Sequence, residues 1–557
     1  MFCTDPEKLK AYTAGNRLWQ GIPSIEVTPN GRIFSTFYSG GTKEEIGNFV
    51  LLLKSDNGTD FSEPIAVAVC ENHRCFDPCL WIDPSGRLWF WWTCAPENAV
   101  YGVVCDNPDQ ESLHWSDVIH IGNDVMMNKP IVLKNGEWLL PIAVWAKGVF
   151  VGSPAYSADP DKKAFVYVSD DNGQSFRRLD GVDAPCRSFD EHMVLELSDD
   201  TVAMYIRTTY GIAVAYSYNN GRTWTPAKDS GLGGPCSRFH ISRLKSGRIL
   251  FVNHVNFRGR NNLYALLSED NGKTWPYKLL IDERANVSYP DAKEASDGIY
   301  ITYDRERGAF SHSLKETYGY AREILYAKIT EQDILAGKLL HPDSRLRVTI
   351  SKLGKYNDEQ SNPYDERTRY SEAEAAAYLE SKTAAELPDA LWELFSVSCM
   401  NLHKVDGAAL DALLEQLQAP DLTPENKHAL LAGLVHFLRG IEIQKTEDSA
   451  LVGRVKDYLA EHANENPSLE TIAGALSVSK FYLCHEFKRV TGMTLTDWKN
   501  YLKIKKAKEL LSQSGKKIAD IAEECGFDTI SYFSETFKNL EKITPEAYRA
   551  QRQKARA

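Results

Sequence analysis

Hydrophobic residues in the first 345 positions come in short runs separated by polar turns that are rich in Gly, Asn and Asp. Residues 86–92 read GRLWFWW, residues 137–145 read EWLLPIAVW, and residues 247–252 read GRILFV. Short apolar runs bounded by turn signals are typical of buried β-strands. We therefore predict an all-β domain over residues 1–345.

The pattern becomes helical after about residue 350. One helical stripe carries four leucines between positions 410 and 417, and prolines at positions 363, 388, 420 and 424 separate the helical segments. We predict an α-helical connector over residues 346–447 and an all-α domain over residues 448–557. The apolar stripes of the connector fit two roles equally well: packing on the β domain, or dimerisation of the chain.

A short motif recurs through the predicted β domain. Residues 169–176 (SDDNGQSF) and 268–275 (SEDNGKTW) fit the template S-x-D-x-G-x-[ST]-[FW]. Residues 217–224 (SYNNGRTW) fit it with Asn219 in place of Asp, and residues 54–61 are a degenerate copy. The three clear copies begin 48 and 51 positions apart. A period of about 50 residues with four short strands in each unit is typical of a β-propeller.

This motif resembles the Asp-boxes of sialidases and their relatives. In each box, the Asp should accept backbone N–H groups of a tight turn, the Gly should take a positive φ, and the aromatic ring should pack under the next strand. The resemblance covers roughly residues 15–345 and implies a six-bladed, sialidase-like β-propeller. It implies no activity, because these boxes lie at blade edges, away from the central pocket.

One residue that sialidases use is missing from this chain. Sialidases hold the sugar carboxylate with three arginines, the first of which belongs to an Arg-Ile-Pro motif. The corresponding stretch here is Gln20-Gly-Ile-Pro23, so Gly21 stands in the place of that arginine, and Arg17 is out of register. Gly cannot make the bidentate contact of a guanidinium with a carboxylate. We therefore do not expect sialidase activity in the strict sense.

Polar residues nonetheless gather in segments that do not have a simple strand pattern. At the start of inner propeller strands, their side chains would reach the central pocket. A Tyr beside a carboxylate can act as a nucleophile or a proton carrier, and arginines can hold an acidic sugar. The candidate ligand-binding residues are Asp77, Asp190, Arg207, Tyr210, Arg238 and His240. The candidate catalytic residues, if the propeller is an enzyme, are Glu191, His192, Tyr289 and Asp291. The same residue types also cap turns and pair across blades, and that structural interpretation stays open.

Two helix-turn-helix units follow each other over residues 469–549. The first reads LETIAGALSVSKFYLCHEFKRVTG, and the second reads IADIAEECGFDTISYFSETFK, followed by TPEAYR. This region resembles the DNA-binding domain of the AraC/XylS family of transcription regulators. The resemblance covers about a hundred residues. It implies two recognition helices in the major groove, one helical turn apart on one face of double-stranded DNA, and a homodimer.

Each predicted recognition helix has one buried and one exposed face. Leu483 and Phe487 in the first unit, and Phe533 and Phe537 in the second, have the i, i+4 spacing of core positions. The residues left to contact bases are Phe481, Cys484, His485, Ile530, Ser531, Ser534 and Glu535. The residues expected to contact phosphates are Lys480, Lys488, Arg489, Lys538 and Arg549. Lys542 stands where the family usually has Gly, which predicts a looser helix end there.

The net charge of −12 hides an uneven distribution. Residues 451–557 hold 18 Lys and Arg against 14 Asp and Glu, a net of +4, whereas residues 1–450 carry a net of −16. A basic C-terminal part behind an acidic body fits a domain that contacts phosphates. The start of the chain has no secretion signal, and no apolar run is long enough to span a membrane, so we expect a cytoplasmic protein.

Cysteine spacing argues against a metal site. The chain has 11 cysteines, and the group formed by Cys70, His73, Cys75 and Cys79 lacks the spacing of zinc ligands. We expect reduced thiols, no metal and no cofactor.

These patterns together predict a multidomain, sequence-specific DNA-binding regulator whose propeller binds a carbohydrate, most reasonably an acidic one. The alternative is an intracellular glycoside hydrolase or polysaccharide lyase fused to a regulatory DNA-binding domain. A third interpretation is that the propeller is a protein-binding platform without a sugar site.

Overall fold

The structure is a computed structural model that describes residues 2–41, 44, 46–95, 98–145, 159–185, 187, 189–208, 211–257, 260–284, 286–306, 322–353, 381, 450–462, 467–476, 478–491 and 493–554. Of the predicted connector, only residues 346–353 and 381 are among them.

Six antiparallel sheets form the N-terminal domain, and each sheet is one blade. Blade 1 contains β1 (Phe2–Cys3), β2 (Trp19–Val27), β3 (Ile33–Gly40), β4 (Phe49–Ser55) and β5 (Ala66–Ala68). Blade 2 contains β6 (Arg74–Ile82), β7 (Leu88–Ala95), β8 (Ala99–Cys105) and β9 (Ile119–Asn123). Blade 3 contains β10 (Val125–Met126), β11 (Ile131–Val132), β12 (Trp138–Ala143), β13 (Ala164–Ser169) and β14 (Arg177–Val182).

The second half repeats the arrangement. Blade 4 contains β15 (Met193–Glu196), β16 (Val202–Thr208), β17 (Gly211–Ser217) and β18 (Lys228–Asp229). Blade 5 contains β19 (His240–Arg243), β20 (Ile249–His254), β21 (Leu263–Ser268) and β22 (Tyr277–Asp282). Blade 6 contains β23 (Val287–Ala295), β24 (Gly298–Arg305), β25 (Glu323–Ile329) and β26 (Arg345–Lys352). The predicted six-bladed propeller is confirmed, and its last strand continues seven residues past the expected boundary at 345.

The Asp-box turns have the expected geometry. Asp171 accepts the backbone N–H groups of Gln174 (3.0 Å) and Ser175 (2.9 Å). Gly173 has a φ of 83°, and a Cβ there would lie 2.6 Å from a ring atom of Trp138, so this position needs Gly both for its backbone and for space.

The first strands of neighbouring blades face the propeller axis, where one lysine joins four of the blades. The ammonium of Lys129, which lies between β10 and β11 of blade 3, donates to the backbone oxygens of Ile25 in blade 1 (2.7 Å) and Leu80 in blade 2 (2.6 Å). It also pairs with Glu26 of blade 1 (2.9 Å) and Asp291 of blade 6 (3.2 Å).

The neighbouring Asn128 extends this network to the two remaining blades. Its Nδ2 donates to the backbone oxygen of His192, directly before blade 4, at 2.9 Å. Its Oδ1 accepts from Nε of Arg238, two residues before blade 5, at 2.7 Å. We call this set of buried side chains the axial hub; its members are Glu26, Asn128, Lys129, Arg238 and Asp291.

Among the described residues between 450 and 554, which leave out 463–466, 477 and 492, seven helices form the C-terminal domain. They are α3 (Ala450–Glu461), α4 (Leu469–Ala475), α5 (Lys480–Thr491), α6 (Leu495–Gln513), α7 (Ile518–Glu524), α8 (Ile530–Glu541) and α9 (Pro545–Lys554), numbered after two short propeller helices, α1 (Pro6–Leu9) and α2 (Glu331–Ala336). Among the described residues, none of the helices is long and apolar enough to cross a membrane.

Two separate apolar cores stabilise the C-terminal domain. Leu483 and Phe487 are fully buried in the first core, and Phe533 and Phe537 are fully buried in the second, as the i, i+4 spacing predicts. Helix α6 contributes Trp498 and neighbouring residues to the first core and Ile504 and its neighbours to the second, so this helix joins the two units.

Lys542 ends helix α8 in the left-handed conformation. Its φ is 63°, and its backbone N–H donates to the oxygen of Lys538 at 2.9 Å. The helix is therefore capped in the usual left-handed manner, although a residue with a Cβ stands where Gly would be unstrained.

Replacing Lys542 by Gly should stabilise the end of α8 by about 0.5–1 kcal/mol, because the relief of left-handed strain outweighs the added freedom of the unfolded chain. Hydrogen exchange of α8 in the full chain should slow by roughly two- to fivefold. Lys542→Ala removes the same charge but keeps the Cβ, and it should give no such gain. Equal slowing in both variants would contradict the explanation from strain.

Candidate functional site

Three inner strands of the propeller are bent at the same place by a bulge before a proline. Ile22, Asp77 and Tyr289 each precede a proline and have φ values of 58°, 48° and 56°. The strand register shifts at each of these points in β2, β6 and β23. A positive φ is uncommon for these residue types, and the position before proline normally favours an extended backbone. Bulges that redirect side chains in this way are over-represented beside functional sites.

The bulge in β23 brings Tyr289 to two candidate residues from blade 4. The Tyr289 hydroxyl donates to Oε1 of Glu191 at 2.8 Å, and Nη1 of Arg207 lies 3.2 Å from the hydroxyl oxygen and 2.5 Å from the same Glu191 oxygen. All three side chains are buried. The structure therefore brings together a phenol, a carboxylate and a guanidinium that lie up to 98 positions apart in the sequence.

Glu191 has an acceptor oxygen for which the described residues supply no donor. Its Oε2 is buried and accepts no hydrogen bond from the described residues. Buried carboxylate oxygens normally have a donor, so this atom favours the presence of water or a ligand hydroxyl in the pocket.

Asp77 lies in the bulge of β6 and is buried. Burial raises the pKa of its carboxyl well above the usual range; the charge of Arg74 opposes this increase, and the charge of Glu191 adds to it. A carboxyl held in its protonated form can donate a proton to a leaving group. A phenol beside a carboxylate, together with a protonated carboxyl, could perform nucleophilic and acid catalysis.

Arg238 and Asp291 belong to the axial hub. The three guanidinium nitrogens of Arg238 donate to Asn128 and to the backbone oxygens of Pro23 (3.0 Å) and Met127 (3.3 Å). Burial would raise the pKa of Asp291, but the charges around it, above all Lys129, hold that pKa far below its usual range. Both residues thus stabilise the propeller, and their roles in ligand binding and catalysis stay predictions.

The two candidate histidines are buried, and burial lowers the pKa of both. His240 accepts the N–H of Ala292 at Nδ1 (3.2 Å) and contacts the hydroxyl of Ser242 through Nε2 (2.9 Å), which suits a neutral ring. The ring nitrogens of His192 face the backbone oxygens of Asp190 (2.9 Å) and Phe165 (2.6 Å). The ring nitrogens of both histidines thus already contact groups of the protein itself.

Of the other candidates, Asp190 forms an ion pair with the nearby Arg187, and Tyr210 lies outside the described residues.

Sequence reasoning missed Arg260, whose guanidinium lies 5.3 Å from the centre of the Tyr289 ring and donates to the backbone oxygen of Cys236 at 3.1 Å. Arg207 donates to the same oxygen at 2.9 Å. The only signal in the sequence was the RGR run at 258–260, in a segment between strands.

The second candidate site is the exposed side of the two recognition helices, α5 and α8. Phe481 is 81% exposed, and its ring stacks on that of His485 with 6.2 Å between centroids. Ile530 of α8 is half exposed. Among the other expected base contacts, Ser531 and Glu535 are exposed, whereas Cys484 and Ser534 are partly buried.

The predicted phosphate contacts differ in their surroundings. Lys488 and Lys538 are exposed, Lys480 pairs with Glu470 of α4 at 2.5 Å, and Arg549 donates to the backbone oxygen of Lys516 at 2.6 Å. The side chain of Arg489 lies outside the described residues.

Sequence reasoning also missed two tyrosines at equivalent positions of the recognition helices. Tyr482 and Tyr532 each directly precede the first buried core residue of their helix, and each is about half exposed. An alignment of the α5 and α8 sequences reveals both tyrosines, because they occupy the same position before the core residues Leu483 and Phe533.

Known protein families match both the N-terminal and the C-terminal part of the chain. The model of the BNR repeat-like domain family matches residues 31–301, and that of the helix-turn-helix domain family matches residues 472–551. The chain carries an AraC-type helix-turn-helix domain behind a sialidase-like propeller. The regulatory protein PocR of Salmonella typhimurium is 35% identical to this chain over 94 residues, which is 17% of this chain and 31% of PocR.

Two solved structures are also similar to parts of the chain. The C-terminal domain of AraT, a response regulator from Geobacillus stearothermophilus, is 33% identical and covers 19% of this chain and 89% of that domain, with a TM-score of 0.19. The intramolecular trans-sialidase from Ruminococcus gnavus is 14% identical and covers 60% of this chain and 98% of that one, with a TM-score of 0.43. The chain spans about a third to a half of the length of the curated relatives that it matches.

Two variants in α5 should separate DNA contact from folding. Phe481→Ala should lower operator affinity about fivefold or more, while the free energy of unfolding of the AraC-type domain changes by less than about 0.5 kcal/mol, because the ring is exposed. Leu483→Ala should cost about 2–4 kcal/mol because it leaves a cavity in the first core. Urea unfolding and fluorescence anisotropy on a selected duplex would measure both. Unchanged affinity in Phe481→Ala would exclude this side chain from the interface.

Proposed function

We propose that this protein is a cytoplasmic, sequence-specific transcription regulator that binds double-stranded DNA as a homodimer. The observation that supports this best is the pair of recognition helices, α5 and α8, which share the joining helix α6 and expose residues able to contact base edges. The net charge of +4 over residues 451–557 adds attraction for phosphates.

We propose further that the propeller pocket binds a carbohydrate effector with an acidic group. Arg207 and Arg260 supply positive charge beside Tyr289, and the unused Oε2 of Glu191 can accept a sugar hydroxyl. Such an effector could regulate DNA binding only if its affinity differs between two arrangements of the protein.

A second candidate function has its own supporting observation. The hydrogen bond of 2.8 Å between Tyr289 and Glu191, near Asp77, whose pKa is raised by burial, is suited to a glycoside hydrolase or a polysaccharide lyase. Gly21 supplies no guanidinium, so the substrate would differ from that of a strict sialidase. In this case the protein would degrade the sugar and also regulate transcription.

Sequence choice by the AraC-type domain should depend on His485 and Ser531. The preference for a duplex selected from a random library, over a scrambled duplex, should fall about tenfold or more in the double variant His485→Ala, Ser531→Ala. Lys488→Gln is the control, since loss of a phosphate contact should weaken binding to both duplexes equally and reduce the salt dependence. Full preference in the double variant would contradict the assigned recognition faces.

The pocket can be tested with the full chain and a library of neutral and acidic oligosaccharides, using affinity capture and mass spectrometry. Retention of an acidic sugar at unchanged mass supports an effector, and Tyr289→Phe should weaken that retention about fivefold or more because one hydrogen bond is lost. Fragments that have gained water, or products of elimination, support hydrolase or lyase activity. Absence of both retention and cleavage would contradict a sugar site and favour a protein-binding platform.

A further inference from the structure

Blade 4 of the propeller contacts the AraC-type domain directly. The ring of Tyr218, in the Asp-box turn of blade 4, meets that of Trp498 in helix α6 edge to face, with 4.3 Å between centroids. Tyr218 is thereby packed against the first core of the AraC-type domain. In the same turn, Nδ2 of Asn220 donates to the backbone oxygen of Leu540, near the end of α8, at 3.1 Å. One propeller turn thus touches both helix-turn-helix units.

A charged contact lies beside this apolar one. The ammonium of Lys508, in α6, is 2.8 Å from a carboxylate oxygen of Asp200 in the β15–β16 turn and 3.0 Å from one of Glu541 at the end of α8. Burial would lower the pKa of Lys508, but Glu541 and Asp200 raise it above the usual range. Lys508 therefore stays charged and holds one acid from each domain. We call Asp200, Tyr218, Asn220, Trp498 and Lys508 the docking contact.

The two strands β15 and β16 connect the docking contact to Glu191 and Arg207 of the candidate site. β15 begins two residues after Glu191, and Arg207 is the penultimate residue of β16. The turn that joins these two strands at their other ends carries Asp200. The hairpin β15–β16 thus has two pocket residues at one end and a residue of the docking contact at the other.

The docked domain keeps its recognition faces free. Phe481 and Ile530 remain exposed while Tyr218 and Asp200 are in contact with α6. Docking therefore sets how the two recognition helices are held relative to the propeller, and it leaves these side chains uncovered.

We propose that blade 4 is the docking surface for the chain's own AraC-type domain, and that the hairpin β15–β16 couples occupancy of the pocket to this contact. The proposal rests on the function proposed above, because it gives the route by which a pocket ligand would reach the DNA-binding helices. A change at Glu191 or Arg207 shifts the ends of both strands, and the turn with Asp200 is the part of that hairpin that the other domain touches.

The docking contact can be tested by hydrogen exchange of the full chain, without DNA or sugar. Asp200→Asn keeps the shape of the side chain, and Asn tolerates the left-handed backbone of this position (φ 67°), so the turn should fold. Loss of the charge should raise exchange in helix α6 and in residues 217–224 about tenfold or more. The matched control is Asp297→Asn in the equivalent turn of blade 6, where the carboxylate pairs with Lys328, and it should leave these segments unchanged.

The coupling is tested with a pair of tyrosine variants. Tyr289→Phe removes the hydroxyl that bonds Glu191, and it should change exchange at residues 198–201 by more than about twofold. Tyr303→Phe is the control, because it removes an equally buried hydroxyl that bonds Asp282 outside blade 4. Asn220→Gly gives a second disruption of the docking contact, if Asp200→Asn proves unstable, because it removes the amide that donates to Leu540 and tolerates the left-handed backbone of this position (φ 57°).

Two outcomes would overturn the proposal. Unchanged exchange in the docking-contact variants would mean that blade 4 does not hold the AraC-type domain. Altered exchange in those variants, with none in Tyr289→Phe, would mean that the contact exists but is not coupled to the pocket. A failure of DNA or sugar binding would be seen separately, because these measurements contain neither ligand.

Discussion

The axial hub is the interaction on which the propeller depends. Lys129 and Asn128 reach all six blades from one short segment of blade 3, and the two acids of the hub balance its two cations. Buried charges of this kind add little net stability compared with an apolar core, but removing one partner leaves the others unpaired and is costly. The hub therefore favours one arrangement of the inner strands over near alternatives. That precision matters because the pocket is built from the ends of those same strands.

The candidate site in the propeller contains strained backbone positions, and the packing around the axial hub stabilises them. Left-handed residues before proline in β2, β6 and β23 are unfavourable locally, and they persist only where the surrounding packing determines them. Asp77 and Tyr289 gain their inward positions in this way, whereas Ile22 occupies the corresponding place in blade 1. The bulge in β2 of blade 1 therefore has the same backbone geometry as the other two, but it carries the apolar side chain of Ile22, and the neighbouring Gly21 supplies no guanidinium.

Much of the architecture could be predicted from the sequence, because its signals are local. Asp-boxes and helix-turn-helix units lie within windows of about ten to fifty residues, and the turn geometry of Asp171 and the burial of Phe487 follow from them. Contacts between distant segments could not be predicted. Arg238 was a reasonable ligand residue by type, yet its nitrogens are bound by groups more than a hundred positions away. The docking contact between Asp200 and Lys508 spans 308 positions and has no sequence signature.

The uneven charge of the chain has a specific structural consequence. The acidic N-terminal part and the basic C-terminal part attract each other, but screening in physiological salt limits exposed pairs to a range of about 8 Å. Lys508 is within that range and partly buried against Asp200, so its charge is used between the domains. Lys488 and Lys538 are exposed on the recognition helices and keep their charge for a phosphate backbone. The same basic domain can therefore be held by an acidic propeller and still attract DNA, because the two partners use different faces of it.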